Sequence, residues 1–276
     1  MTSAPVTIDT GTDELLCEID ARVAIVTLNK PHKKNALGDI LTPALRRTLA
    51  RLQDDDRVGC VMLTGAGDAF CSGGDVSGMG GGSTSDEPPP TPGERVAELT
   101  HKQMTLTHRL FHHNKVTVAA LPGAAAGAGL SIALACDLRV AADTAFVTTA
   151  FRNIGLSGDY GTSWFLPRLV GLGRAKAMLY TAARVTAEEG LGMGLIDAVF
   201  PAASFRADAF AFAAGIANGP TQALARMKKN LHAGLSQNLD ASLQLEAEHL
   251  IASSGSAEAR EAITAFMEKR TPRFHE

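Results

Sequence analysis

VTVAALPGAAAGAGLSIALACDLRVAA, residues 116–142, changes character three times. Residues 116–121 form a short apolar run, the mark of a buried strand. Pro122 and Gly123 end that run, and Gly123, Gly127 and Gly129 follow in GxxxGxG spacing. A helix is expected through Cys136, then a second strand at LRVAA, 138–142. Strand, glycine turn, helix and strand in this order indicate an α/β fold. Val116 to Cys136 carries no charge, and ~20 such residues are long enough to cross a bilayer. Gly123 and Gly127 also repeat the GxxxG spacing of membrane helix pairs. Pro122–Gly123 breaks the stretch, however, and most of the rest is Ala and Gly, so a buried strand and helix is the reading adopted.

The same grammar recurs upstream. GCVMLTG, 59–65, reads as a buried strand, and FCSGGDVSGMGGG, 70–82, follows it. Gly73 and Gly74 strip the side chains from a short piece of backbone, which suits a tight turn or a ligand held by main-chain N–H groups. Strands are expected at 15–19 and 23–28, and a helix over about 40–52, whose apolar residues recur at helical period. Residues 78–93, GMGGGSTSDEPPPTPG, read as a mobile surface loop, either a tolerated insertion or a wall of a pocket. A helix is expected over about 94–113. After Phe200–Pro201 the strand signal stops, and helices are expected over about 202–218, 220–234, 239–252 and 256–270. The chain thus divides into a core, 1–200, and a C-terminal helical region, 201–276.

Composition narrows the class. The 276 residues are 45% hydrophobic and 20% charged, as in ordinary globular proteins. A net charge of −3 gives no overall case for nucleic acid or an anionic membrane. Cys17, Cys60, Cys71 and Cys136 show no paired short spacing, which suits free thiols in a reducing compartment. The polar N-terminus is unlike a targeting peptide, so a cytoplasmic location is expected.

Several constellations compete for the chemistry. GxxxGxG is a dinucleotide-binding spacing, but it falls mid-chain, and no Tyr-x-x-x-Lys pair accompanies it. GLSIA, 129–133, approaches a nucleophile elbow, yet Ser131 belongs inside the helix, where a hydroxyl bonded to the preceding turn is expected. His108 and His112 have metal-capable spacing, but an exposed polar face suits them better, and no metal is expected. Cys71 reads as a small buried thiol. What remains is the pairing of two buried strands, each ending in a glycine turn that opens a helix. The N–H groups of two such helix ends can converge on one oxygen that gains charge during reaction.

At this point the sequence resembles the enoyl-CoA hydratase/isomerase (crotonase) superfamily. The resemblance is carried by LNKPHKKNAL (28–37), GDAFCSGGD (67–75), GAAAGAGLSIALACDLRVA (123–141), IGLSGDYGTSWFLPRLVG (154–171), GRAKAMLYTAARVTAEEGLGMGLID (173–197) and AFMEKRTPRF (265–274). It implies a crotonase-like spiral of repeated ββα units with a C-terminal helical trimerisation region, giving a homotrimer or hexamer. It also implies an acyl-CoA thioester whose carbonyl oxygen is held by the backbone N–H groups of Gly74 and Ala128. Coenzyme A would enter as part of the substrate, with no separate cofactor. Lys33, Lys34 and Ala36, the Gly73–Asp75–Val76 stretch, and Lys269 with Arg270 match regions that contact the coenzyme in relatives. Asp75 itself reads as a turn or helix cap.

One departure bears on mechanism. Hydratases of this superfamily use two glutamates, and the matching positions hold Ser131 and Phe151, neither of which is a carboxylate. A carboxylate does stand at Asp159 in GLSGDYG, where isomerases and a dehalogenase of the superfamily are similar. The expectation is an enolate-forming enzyme in which Asp159 moves the proton. The alternatives are hydration by a non-standard route and a non-catalytic acyl-CoA binding protein.

Overall fold

The computed structural model describes residues 4–75 and 89–275. Strands β1 (Val6–Thr7), β2 (Leu15–Asp20) and β3 (Val23–Leu28) form an antiparallel start. Helix α1 (Leu41–Gln53) follows, burying Leu41, Ala44, Leu45, Leu49 and Leu52 along one stripe. Three turns of the expected spiral come next. Each puts a long strand in one sheet and a short strand in a second: β4 (Cys60–Gly65) with β5 (Ala69–Cys71), β6 (Val116–Leu121) with β7 (Ala124–Ala126), and β8 (Leu138–Ala142) with β9 (Phe146–Thr148). Helices α2 (Pro92–Met104) and α3 (Thr107–Phe111) lie between the first and second turns, and α4 (Ala128–Ala135) leads from the second to the third. Helices α5 (Thr162–Val170) and α6 (Leu172–Thr181), strand β10 (Val185–Thr186), helix α7 (Ala187–Gly192) and strand β11 (Ala198–Phe200) complete the core. Helices α8 (Phe205–Ala217), α9 (Thr221–Gly234), α10 (Leu239–Ser254) and α11 (Ala257–Glu268) end the chain.

The large sheet runs β1-β2-β3-β4-β6-β8-β11, parallel from β3 onward, and the small one β10-β9-β7-β5. Three expectations need correction. The helix expected over 94–113 is broken at Thr105–Leu106 into α2 and α3. The turns after β4 and β6 contain the short strands β5 and β7, too brief to show a period of their own. The mobile loop expected over 78–93 lies outside the described residues up to residue 88, and Pro92 and Gly93 are already the first turn of α2, capped by Thr91. Among the described residues no helix is long and apolar enough to cross a membrane, and 116–136 is β6, β7 and α4.

Buried polar groups fix how the layers meet. Asp137 Oδ2 accepts from the Thr117 N–H at 2.7 Å and from Lys228 Nζ of α9 at 2.7 Å. This docks the first long C-terminal arm on the parallel sheet. Further out, Leu250, Ile251, Phe266 and Met267 on α10 and α11 are exposed. His113 is 1% exposed and fixed as one neutral tautomer, for Nε2 donates to Leu49 O at 3.2 Å while Nδ1 accepts from the Lys115 N–H at 3.1 Å.

Burial lowers the His113 pKa from its ordinary 6.5 to about 4, with Lys228 pushing the same way. The folded chain therefore resists a proton that the unfolded chain accepts. The resulting stability is complete above pH 6.5 and is lost as pH falls toward 4. Denaturant titrations across that window should show the decline, and His113→Gln should flatten it while lowering stability at neutral pH.

Candidate active site

The two glycine turns meet. A Cβ on Gly73, whose φ is +103°, would stand 3.1 Å from Ala126 O and 3.5 Å from Ala128 N. A Cβ on Gly129 would lie 2.5 Å from Cys71 O, closer than any side chain can stand. Gly127 takes φ 52°, ψ −127°, a region that belongs to glycine, and so turns the chain sharply into α4. Gly73 O accepts from the Leu37 N–H at 2.8 Å, and the Asp75 N–H donates to Leu37 O at 2.7 Å. Between those bonds the Gly74 N–H has no acceptor among the described residues, and neither has the Ala128 N–H, the first of α4. Both donors thus belong to turns that touch through Gly73, and no non-neighbouring described residue stands within 4 Å of a Cβ built on Gly74.

Ser131 and Phe151, at the positions matching the hydratase acids, and Asp159 sit as follows. Ser131 is fully buried, and its hydroxyl donates to Gly127 O at 3.1 Å, as expected for a helix hydroxyl bonded to the preceding turn. It also touches the Thr162 hydroxyl, which in turn reaches Asp159 O at 2.9 Å. Phe151 is buried, with ring atom Cε1 3.9 Å from where a Gly127 side chain would begin. It walls the Gly127 turn with hydrocarbon. Asp159 is half-buried at the end of the loop before α5, and its Oδ1 accepts from Gln103 Nε2 at 2.8 Å and from the Tyr160 N–H at 2.7 Å. Burial raises its pKa above the ordinary carboxylate value, and those two donors pull it down less strongly.

The cations expected to face the coenzyme form two pairs. Lys33 Nζ lies 2.9 Å from Asp75 Oδ2, and the nearly buried Lys30 approaches the same oxygen at 3.5 Å. The Asp75 carboxylate is thus an ion-pair partner, and the residues a helix cap would serve lie outside the described chain. Lys34 Nζ meets Asp68 at 2.7 Å and lines a cleft of about 640 Å³ with Ser72, Asn153 and Arg184. Ala36 is buried in the turn that Asn35 organises by accepting from the Lys30 N–H and donating to the carbonyls of Ala66 and Ala69. Lys269 caps the C-terminus of α11 in the left-handed region, φ 55°, on a different element from that cluster. Val76 lies outside the described residues. Cys71 is a fully buried thiol whose pKa burial pushes up to about 12, far from a nucleophile's.

Sequence reasoning missed Gln103, Thr162 and Lys30. Lys30 and Thr162 carried a signal, standing inside the quoted LNKPHKKNAL and IGLSGDYGTSWFLPRLVG stretches.

The family model described as enoyl-CoA hydratase/isomerase matches residues 18–276. A probable enoyl-CoA hydratase of Rhodobacter capsulatus is 40% identical over 93% of this chain and 96% of its own. The 1,2-epoxyphenylacetyl-CoA isomerase of Escherichia coli K12 is 32% identical over 94% of this chain and 97% of its own. Among solved structures, an enoyl-CoA hydratase from Polaromonas sp. JS666 superposes with a TM-score of 0.86 at 30% identity, covering 95% of this chain and 99% of that one.

The contact at Gly129 generates a test of how the turns depend on each other. Gly129→Ala forces a Cβ into the Cys71 carbonyl, so the turns must separate at a cost of roughly 1–3 kcal/mol. Thermal unfolding should register that loss, and crotonyl-CoA affinity should weaken in the protein that remains folded.

Proposed function

The chain belongs to the enoyl-CoA hydratase/isomerase family, and from that premise we propose that it moves a proton within an enoyl-CoA thioester by way of an enolate. The observation that carries this reading is the pair of N–H groups at Gly74 and Ala128 without acceptors among the described residues, on turns linked through the Ser131 and Thr162 hydroxyls to the main-chain carbonyl of Asp159, whose carboxylate is half-buried. In the proposed step Asp159 takes a proton from the α- or γ-carbon. The electron pair of the broken C–H bond shifts to the thioester oxygen, which the two N–H groups stabilise, each donor being worth ~3–4 kcal/mol in the transition state. The protonated Asp159 then returns the proton to the other carbon, and the double bond has moved. Lys33, Lys34 and Lys269 are proposed to face the phosphates of the coenzyme, the first two by exchanging their carboxylate partners for the ligand.

The apolar faces of α10 and α11 support a homotrimer, possible as a pair of trimers, in which those helices are covered by neighbouring copies. Light scattering at micromolar concentration should give three or six times the chain mass, and a monomer would refute the assembly.

The mechanism is tested by exchange of substrate protons into heavy water, using a panel of 2-enoyl- and 3-enoyl-CoA esters. Asp159→Asn keeps size and hydrogen-bonding capacity but cannot shuttle the proton, so exchange should fall at least a hundredfold. Ser131→Ala should change it only a few-fold. Thioester affinity should survive both. Exchange that persists in Asp159→Asn and is lost in Ser131→Ala would reverse the assignment. A parent protein that binds these esters without exchanging protons would be an acyl-CoA binding protein, and one that only adds water would be a hydratase.

A further inference from the structure

We infer that Gln103 is the positioning residue of this site, its side-chain amide holding Asp159 by Oδ1 so that Oδ2 is the oxygen that takes up and releases the proton. This rests on the proposed role of Asp159 and adds which of its atoms works and what aims it.

Both donors to Asp159 converge on Oδ1: Gln103 Nε2 at 2.8 Å from one side and the Tyr160 N–H at 2.7 Å from the other. No hydrogen-bond partner of Oδ2 occurs among the described residues. An oxygen that already accepts two short N–H bonds is a poor place for a proton, whereas the bare oxygen can gain and lose one without breaking either bond. The carboxyl plane is therefore fixed while its charge is free to change.

The kind of donor matters as much as its place. A Lys or Arg in this position would hold Asp159 ionised throughout the reaction, and an apolar residue would leave burial to hold it protonated. A neutral amide lies between these extremes. It favours the carboxylate without overcoming the larger desolvation that raises the Asp159 pKa. The charged groups nearby, Arg46 of α1 and Lys102 of α2, act on the Tyr160 phenol, whose pKa burial raises, with the Asp159 charge adding to the rise and the two cations only partly offsetting it.

Gln103 is itself braced. It stands in the last turn of α2, a helix without a buried side chain, so polar contacts hold this end. Arg46 Nε donates to Lys102 O at 3.3 Å, its Nη2 donates to the Tyr160 hydroxyl at 3.2 Å, and the Thr107 hydroxyl donates to Gln103 O at 3.3 Å. Arg46 thus fastens the residue before Gln103 and the residue after Asp159 to one rigid guanidinium.

The test compares the pH dependence of proton exchange from crotonyl-CoA into heavy water in the parent, Gln103→Leu, Gln103→Lys and Asp159→Asn. Gln103→Leu removes a donor to the ionised form, so the acid limb of the profile should move up by about one pH unit, a roughly tenfold slower exchange below the limb. Gln103→Lys should move it down. A residue that merely filled space would give no such opposite shifts, and either variant alone decides the matter if the other fails to fold. Acid limbs that stay in place in these variants, with exchange lost in Asp159→Asn, would overturn the inference and leave Asp159 as the proton carrier. Exchange that persists undiminished in Asp159→Asn would overturn the carrier role, and this inference with it.

Discussion

Backbone pressed directly against backbone is the constraint on which this structure depends. Where the small sheet meets the large one, Gly65 faces Ala69 O, Gly123 faces Asp68 O and Gly129 faces Cys71 O, each so closely that a Cβ would fall within 2.5 Å of a carbonyl oxygen. Hydrogen in place of a side chain lets β4 fold back along β5 and lets β7 lie beside it. That contact draws the turn before Asp75 and the turn before α4 to one place. In the proposed reaction the Gly74 and Ala128 N–H groups on these turns serve as the donors, and no side chain is required to aim them. Main-chain donors of this kind cost no reorganisation when charge develops opposite them.

Side-chain hydrogen bonds then carry this geometry outward. Asn35, fully buried, ties the loop after β3 to the turn between β4 and β5 by three bonds to main chain. On the other side, the Ser131 and Thr162 hydroxyls run from Gly127 O to Asp159 O, so the Gly127 turn and the Asp159 loop share one link. Because the hydroxyls are small and neutral, they add this link without placing an uncompensated charge in the interior.

The sequence made the large sheet legible, because β3, β4, β6 and β8 are apolar runs bounded by turn residues, which periodicity finds. The small sheet was not legible: β5, β7 and β9 have three residues each, and their pairing is a consequence of the glycine contacts rather than of local preference. The break between α2 and α3 escaped for a related reason, since Thr105 and Leu106 are ordinary helix residues and tertiary packing ends the helix there. Within the site, glycine spacing pointed to the turns and motif order pointed to Asp159. Gln103 left no trace in the sequence, because its meaning lies in a contact fifty-six positions away.

That Ser131 and Phe151 carry no carboxylate is consistent with the role proposed for Asp159. An acid at 131 would be fully buried against Gly127 O, an acceptor, with no cation beside it among the described residues, so burial would favour its protonated form. The hydroxyl there donates instead. Phe151 keeps hydrocarbon against Gly127, which lowers the local dielectric and strengthens the neighbouring N–H dipoles. Adding water across a double bond asks for groups that activate the water and also protonate the carbon. Moving a hydrogen from one carbon to another asks for a single carboxylate that can lose and regain its proton without changing place. Asp159, held at one oxygen and bare at the other, meets the second requirement in the proposed reaction, and the hydroxyl and the phenyl ring leave no second acid at those two positions to meet the first.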